Sequence, residues 1–155
     1  MARRGLSALA LLFAALGLGL TIAHLLEIAG KRQLTGAEWL QVQRTFYGGF
    51  AIAGGIAEVG GLLASLGIVA HERRPGANSP WPISSAIGFA GMLGAYWLGN
   101  RPLNARSAAW TPAALPADWT TVRDRWDTAH TISAVFAAIA FANVLAGGTA
   151  SPRNP

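Results

Sequence analysis

Apolar residues run through this chain in four long blocks, at about residues 5–26, 45–70, 82–99 and 130–148, and the charges are confined almost entirely to the stretches between them. The first block carries no charge unless His24 is protonated, the second carries only Glu58, and the third and fourth carry none over 83–99 and 131–148. A helix needs about 20 apolar residues to cross a bilayer, with a range of about 17–25. The third and fourth blocks sit near the lower limit, so flanking residues must complete them. The pattern predicts an all-α, integral membrane four-helix bundle forming one domain over residues 1–155.

Polar punctuation supports those boundaries. Thr35-Gly-Ala-Glu38 reads as a capping box, so the second helix opens outside the membrane and runs through Trp39, Val42 and Phe46 into its span. Pro80-Trp-Pro82 starts the third helix, because proline suits a first helical turn. Asp118, after Pro116, is a candidate N-cap for the last helix. Residues 100–117, with Pro102, Pro112 and Pro116, read as an ordered loop, and the tail 149–155 as loose. Small residues at four-residue spacing, Ala53, Ala57 and Gly61 on helix two and Gly91, Ala95 and Gly99 on helix three, form faces that allow close approach in lipid.

Composition agrees with the pattern. Charged residues are 12% of the 155, about half the usual share of roughly 25%, and mean hydropathy is +0.37. The N-terminal Met1-Ala-Arg-Arg resembles the start of a signal peptide. However, the apolar run that follows is about 20 residues, beyond the 7–15 of a signal's apolar region, and reads as an uncleaved first span. The absence of cysteine excludes disulfides, thiolate metal sites and cysteine nucleophiles. Gly-Gly pairs at 48–49, 54–55 and 60–61 lack the Lys and Ser/Thr of a phosphate loop, which disfavours nucleotide binding.

The net charge is +5. Arg3, Arg4, Arg73, Arg74 and Arg153, less Glu72, give the N-terminal side +4, while the opposite side holds seven basic and five acidic residues. The arginines adjoining the first span orient both termini to the cytoplasm, although the raw basic count favours the other side. The expected location is a bacterial inner membrane. A basic balance in such a chain reflects orientation in the lipid bilayer; with no recognition helix and no basic-aromatic platform, nucleic acid is not an expected partner.

Two short motifs carry the chemistry. His24-x-x-Glu27 ends span one and Asp127-x-x-His130 begins span four, each placing an imidazole near a carboxylate on one helix face. In a four-span chain both lie at the same membrane face and could converge. His24, Glu27, Asp127 and His130 are therefore candidate catalytic groups, and a candidate shell for Fe, Mn or Zn, since helix bundles build metal sites from such i, i+3 pairs. A base without any metal is the alternative, and so is a structural hydrogen-bond network with no chemistry. Asp127 is also four residues after Arg123, placed for an intrahelical ion pair. Glu58 is the intramembrane acid; such a group is expensive and faces the bundle interior or a cavity, so a polar partner is expected for it. Asn100, Arg101, Asn104, Trp110, Trp119, Trp126 and Trp39 read either as an interfacial tryptophan belt or as a lid over a pocket. In the second case Arg123, Trp126, Asp127 and His130 present one face to a flat aromatic ligand.

Ala23-His-Leu-Leu-Glu27, Gly30-Lys31, Val42-Gln43-Arg44-Thr-Phe-Tyr47, Asn100, Asn104, Trp110, Trp119, Arg123 and Arg125-Trp126-Asp-Thr-Ala-His130 together resemble the small four-helix membrane proteins grouped with the anthrone oxygenases, from about residue 23 to 145. Many of those proteins carry an arginine three residues after the motif histidine, where this chain has Ser133. The resemblance implies a redox enzyme acting on a hydrophobic aromatic small molecule at one membrane face. His130 and His24 would act as base or ligands, and Glu27 and Asp127 would orient them. Trp119, Arg123, Trp126, Asn100 and Asn104 would contact substrate. The rival expectation is a non-catalytic accessory or structural subunit of a larger membrane complex. An open pocket beside the motifs separates the two.

Overall fold

The computed structural model describes residues 2–72 and 80–149. Arg73, Arg74, Arg153 and the tail beyond residue 149 lie outside the described residues. Helix α1 (Ala2–Lys31) ends in a tight turn that leads to α2 (Gly36–His71). The capping box forms: Glu38 Oε2 accepts from the Thr35 N–H at 2.8 Å, and Thr35 Oγ1 accepts from the Glu38 N–H at 3.4 Å. At 1.5 Å per residue the 36 residues of α2 reach about 54 Å, well beyond a hydrocarbon core of about 30 Å. The helix is therefore longer than an upright crossing requires.

Helix α3 (Trp81–Ala95) starts at the Pro80-Trp-Pro82 signal and continues without a break through a π-helical turn, Tyr96–Asn100, into α4 (Arg101–Ala108). The first half of the expected 100–117 loop is thus helical. Pro102 is the reason both for the expectation and for the correction. Proline lacks an N–H and crowds the carbonyl four residues back. Here it falls in the first turn of α4, directly after a π turn in which the Arg101 N–H reaches the Tyr96 carbonyl. That wider turn lets the rod pass the proline. Helix α5 (Trp119–Thr149) begins where Pro116 and Asp118 predict. Asp118 does not spend its carboxylate on capping, however; it takes both oxygens to Arg106 Nη2, at 2.9 and 2.8 Å.

The four rods form an antiparallel bundle in which α1 packs on α2 and α5, and α3 packs on α2 and α5. Three helices, α1, α2 and the stretch Trp119–Gly147, are long and apolar enough to cross a membrane. Large apolar side chains such as Leu12, Ile52, Leu63, Ile87 and Leu98 point outward and exposed. Helices apolar all round are suited to lipid rather than water. At one end the Arg3 guanidinium pairs with Glu72 at 2.8 Å. At the other, Trp39, Leu40, Trp110 and Val122 form a core of their own with Leu115 and Trp119. Three of the tryptophans expected in a belt therefore pack among the projecting helix ends and the loop before α5, with Trp39 1% exposed.

The main core of Ala10, Ala14, Ala64, Ile68, Trp81, Phe89, Met92, Ala137, Ala140 and Val144 fills the Arg3 end. Its small residues are sockets. Phe89 occupies the space above Gly61, Phe136 that above Gly91 and Trp81 that above Gly147, while Gly88 lies against the Ala140 backbone. Ser85 Oγ donates to Ser65 Oγ at 2.9 Å, tying α3 to α2.

Candidate functional site

The other half of the bundle is hollow. A cavity of about 510 Å³ lies between α1, α2, α5 and the rod formed by α3, the π turn and α4, within the 300–1,000 Å³ range of small-molecule sites. On α2 its wall is a stripe at helical spacing, Gln43, Tyr47, Phe50, Gly54 and Glu58. Added side-chain atoms at Gly48, Gly54 or Gly55 would meet nothing within 4 Å. These three glycines, unlike Gly61, Gly88, Gly91 and Gly147 of the packed half, leave space open beside them.

The two histidines meet in its wall. His24 from α1 and His130 from α5 have ring centroids 4.1 Å apart. Trp126 lies beside both, 4.0 Å from His130 and 5.2 Å from His24. Tyr47 and Phe50 close on His24 at 4.8 and 5.0 Å. The expected convergence of the motifs is therefore real for the imidazoles, and a cavity adjoins them. Trp126 is held from the rod: its Nε1 donates to Asn104 Oδ1 at 2.9 Å, and Asn100 Nδ2 donates to its carbonyl at 3.2 Å. The π turn brings Asn100 to this position, so both asparagines act on the cavity wall.

The carboxylates go elsewhere. Glu27 Oε2 accepts from the Tyr47 hydroxyl at 2.6 Å and lies 3.4 Å from Lys31 Nζ and 3.6 Å from His24 Nδ1. Asp127, 3% exposed, faces the end of α1, where Arg32 Nε lies 3.8 Å away. Neither carboxylate lines the cavity. The four-residue metal shell is accordingly not formed: among the described residues no group of three or more His, Asp or Glu side chains is arranged to hold a metal ion. The physical reason is local. Residues three apart on a helix are neighbours, yet their directions differ by about 60° at 3.6 residues per turn. His130 thus enters the cavity while Asp127 turns toward basic residues that need a counter-charge. The Arg123–Asp127 pair does not form either, because Arg123 bonds Asp124 at 3.1 Å.

Of the expected substrate contacts, Trp126, Asn100 and Asn104 line the cavity, while Trp119 and Arg123 do not. Trp119 packs at 6.3 Å from Trp39, with the Arg123 guanidinium stacked 5.2 Å above it. Glu58 does face the cavity, but the expected polar partner is missing: among the described residues it makes no hydrogen bond or ion pair.

Lys31, Gln43, Tyr47 and Phe50 belong to the site although neither histidine motif includes them. Lys31 is 4% exposed, with its ammonium 4.5 Å above the Trp126 ring and 5.2 Å from that of Tyr47. Its spacing of four from Glu27 was a readable signal. Counting back from Glu58 in threes and fours would likewise have reached Phe50, Tyr47 and Gln43. Arg44, at the cavity's polar end, donates to the Ala108 carbonyl at 3.4 Å and to that of Trp110, joining α2 to the end of α4. Several buried polar atoms here have no hydrogen-bond partner among the described residues: His24 Nδ1, Lys31 Nζ, Gln43 Nε2 and both Asp127 oxygens. In the packed half the buried serines are bonded instead. An apolar chamber with two adjoining imidazoles, backed by a charge cluster, can accept a proton from a bound molecule and shield the resulting anion from bulk water.

The sequence model of the anthrone oxygenase family matches residues 42–143, and the chain belongs to that family. No curated protein and no solved structure matches the chain.

Proposed function

We propose that this member of the anthrone oxygenase family oxidises a bilayer-soluble aromatic carbon acid in the cavity, with His24 and His130 as its proton-accepting pair. The observation that carries the reading is the placement of two imidazoles, 4.1 Å apart, in the wall of an apolar chamber of about 510 Å³. The flat ring of the substrate lies against Trp126, in the offset or edgewise contact aromatic rings prefer. Asn104 holds that indole in place, and Asn100 holds the backbone that carries it. Glu27, fixed by Tyr47 and Lys31, sets a negative charge 3.6 Å from His24 Nδ1, where it stabilises the imidazolium that forms.

The chemistry balances with dioxygen as the co-reactant. One C–H bond of a methylene conjugated to a carbonyl breaks, leaving its electron pair on the ring system and its proton on an imidazole. Electron transfer to dioxygen and C–O bond formation give a hydroperoxide, which recovers the proton. Loss of water leaves a second carbonyl, so CH2 and O2 become C=O and H2O. A positioned base contributes typically about 10²–10⁴-fold. No step is routed through a metal, because the residues present do not form a shell for one.

An accessory-subunit role would leave the hollow half unexplained, so the cavity favours the enzyme. The rod Trp81–Ala108 supplies the fourth crossing, since it connects the Arg3–Glu72 end to the Trp110 end. We place both termini at the cytoplasmic face of a bacterial inner membrane, on the strength of Arg3 and Arg4 beside the first span.

The test is oxygen uptake and quinone absorbance with a hydroxylated anthrone and the detergent-extracted protein. His24→Ala and His130→Ala should lower the protein-dependent rate on the order of 100-fold or more. Rates equal to wild type in both variants, or no rate above spontaneous autoxidation in the wild type, would reject the reading.

A further inference from the structure

We propose that Glu58 sets ligand specificity by accepting a hydrogen bond from a hydroxyl on the end of the bound molecule remote from the histidines. The inference rests on the cavity being the ligand site and adds the chemistry of its deep end. Glu58 is only 9% exposed and lies on the cavity-facing stripe of α2. Phe50, which touches His24, is eight residues earlier, or roughly 12 Å along the helix. Among the described residues no hydrogen bond or ion pair satisfies it. Gly17, Met92 and Val59, which line the same cavity, are apolar, and the Thr21 hydroxyl in that lining is used within α1, 3.0 Å from the Gly17 and Leu18 carbonyls. Arg44, the cationic side chain lining the cavity, stands 14 residues away, about 21 Å along α2.

A carboxyl group left unbonded in a membrane span is costly, and such residues mark substrate or ion sites. A ligand donor would remove that cost. A hydroxyl fits better than an ammonium, because it can donate to a carboxyl group in either protonation state and brings no second charge into an apolar slot. The cavity mouth points the same way. Gly48, Ala51, Gly55 and Val59 on α2 and Trp97 on the π turn line the cavity and are themselves exposed. The chamber therefore opens sideways between α2 and the α3 rod, at the depth of the second span. What enters is a molecule dissolved in the bilayer, and among such molecules one hydroxyl is a strong distinguishing mark.

The experiment measures binding and is independent of turnover. Quenching of tryptophan fluorescence in the detergent-extracted full chain is titrated with two quinones that cannot be oxidised further in this way. One is anthraquinone; the other is a hydroxyanthraquinone whose hydroxyl is free of an internal hydrogen bond. Wild type should bind the hydroxylated probe roughly tenfold more tightly. Glu58→Leu should abolish that preference without weakening the parent quinone, and Glu58→Gln, which retains an acceptor, should keep it. Equal affinities in wild type, or an equal loss on both probes in Glu58→Leu, would overturn the proposal. If Glu58→Leu does not fold, the wild type and Glu58→Gln decide. Failure of both probes to bind wild type would count against the cavity as a ligand site, and thus against the proposed function itself.

Discussion

Both halves of this bundle carry glycines on their helix faces, and they differ in what those glycines meet. Near the Arg3–Glu72 end, Gly61, Gly91 and Gly147 each receive an aromatic ring, and Gly88 touches the Ala140 backbone. Near the histidines, Gly48, Gly54 and Gly55 face open space. Polar groups divide likewise: the packed half bonds Ser65 to Ser85, whereas the hollow half leaves His24, Lys31, Gln43 and Asp127 with unbonded atoms. One half supplies cohesion. The other is kept open and electrostatically tense, as expected where binding and chemistry take precedence over packing.

The contrast is broken most severely at Lys31. The Lys31 ammonium lies 3.4 Å from Glu27 and also interacts electrostatically with the buried Asp127, so Lys31→Met leaves both short of a cation and should cost about 3 kcal/mol, read from chemical unfolding in detergent. Adding Asp127→Asn should recover much of that loss. A double variant as unstable as the sum of its parts would show that no such coupling exists. A somewhat smaller loss is expected in the packed half. An alanine methyl at Gly88 would lie 2.7 Å from the Ala140 nitrogen, and Gly88→Ala should destabilise by about 1–3 kcal/mol while leaving ligand affinity intact.

Tyr47→Phe removes the 2.6 Å bond to Glu27. Bonds to charged groups contribute about 1.5–3 kcal/mol, but the Glu27 side chain is 40% exposed and water can replace the lost donor. About 1 kcal/mol should disappear from stability, with a larger drop in turnover as His24 loses its support. An unchanged turnover would separate Glu27 from the site. The smallest effect has the opposite sign. Gly55→Ala meets nothing and relieves the helical cost of glycine, so stability should rise by about 0.5–1 kcal/mol. A fall in thermal midpoint would contradict the idea that this glycine faces empty space.

Much of this was legible in the sequence. Uninterrupted apolar runs fix the rods, Thr35 and Glu38 fix a helix start, and two motifs at corresponding span ends fix the meeting of His24 with His130. What was not legible depends on direction and distance. Spacing of three says that Asp127 neighbours His130, not that both enter one chamber, and only the approach of Arg32 and Lys31 decides where Asp127 turns. Trp119 and Arg123 share a helix with Trp126 but lie a turn or two earlier, where α5 has left the bundle and packs on Trp39. The Pro102 stretch read as a loop because a proline usually ends a helix, and the π turn that accommodates it has no sequence signature. A cavity is a property of four helices together, and no one helix announces it.

That π turn sets the phase of everything after it. Five residues, Tyr96–Asn100, form a turn that holds one residue more than an α-helix would use. Every side chain beyond it is therefore advanced by about 100° around the rod. Deleting a single residue there would let the segment relax to ordinary helix without changing its hydrophobicity. Asn104 would then swing away from the Trp126 indole, and the chamber would lose the latch that holds its aromatic wall. The length of the 96–100 segment, more than its composition, is the dimension along which the site can be tuned or lost.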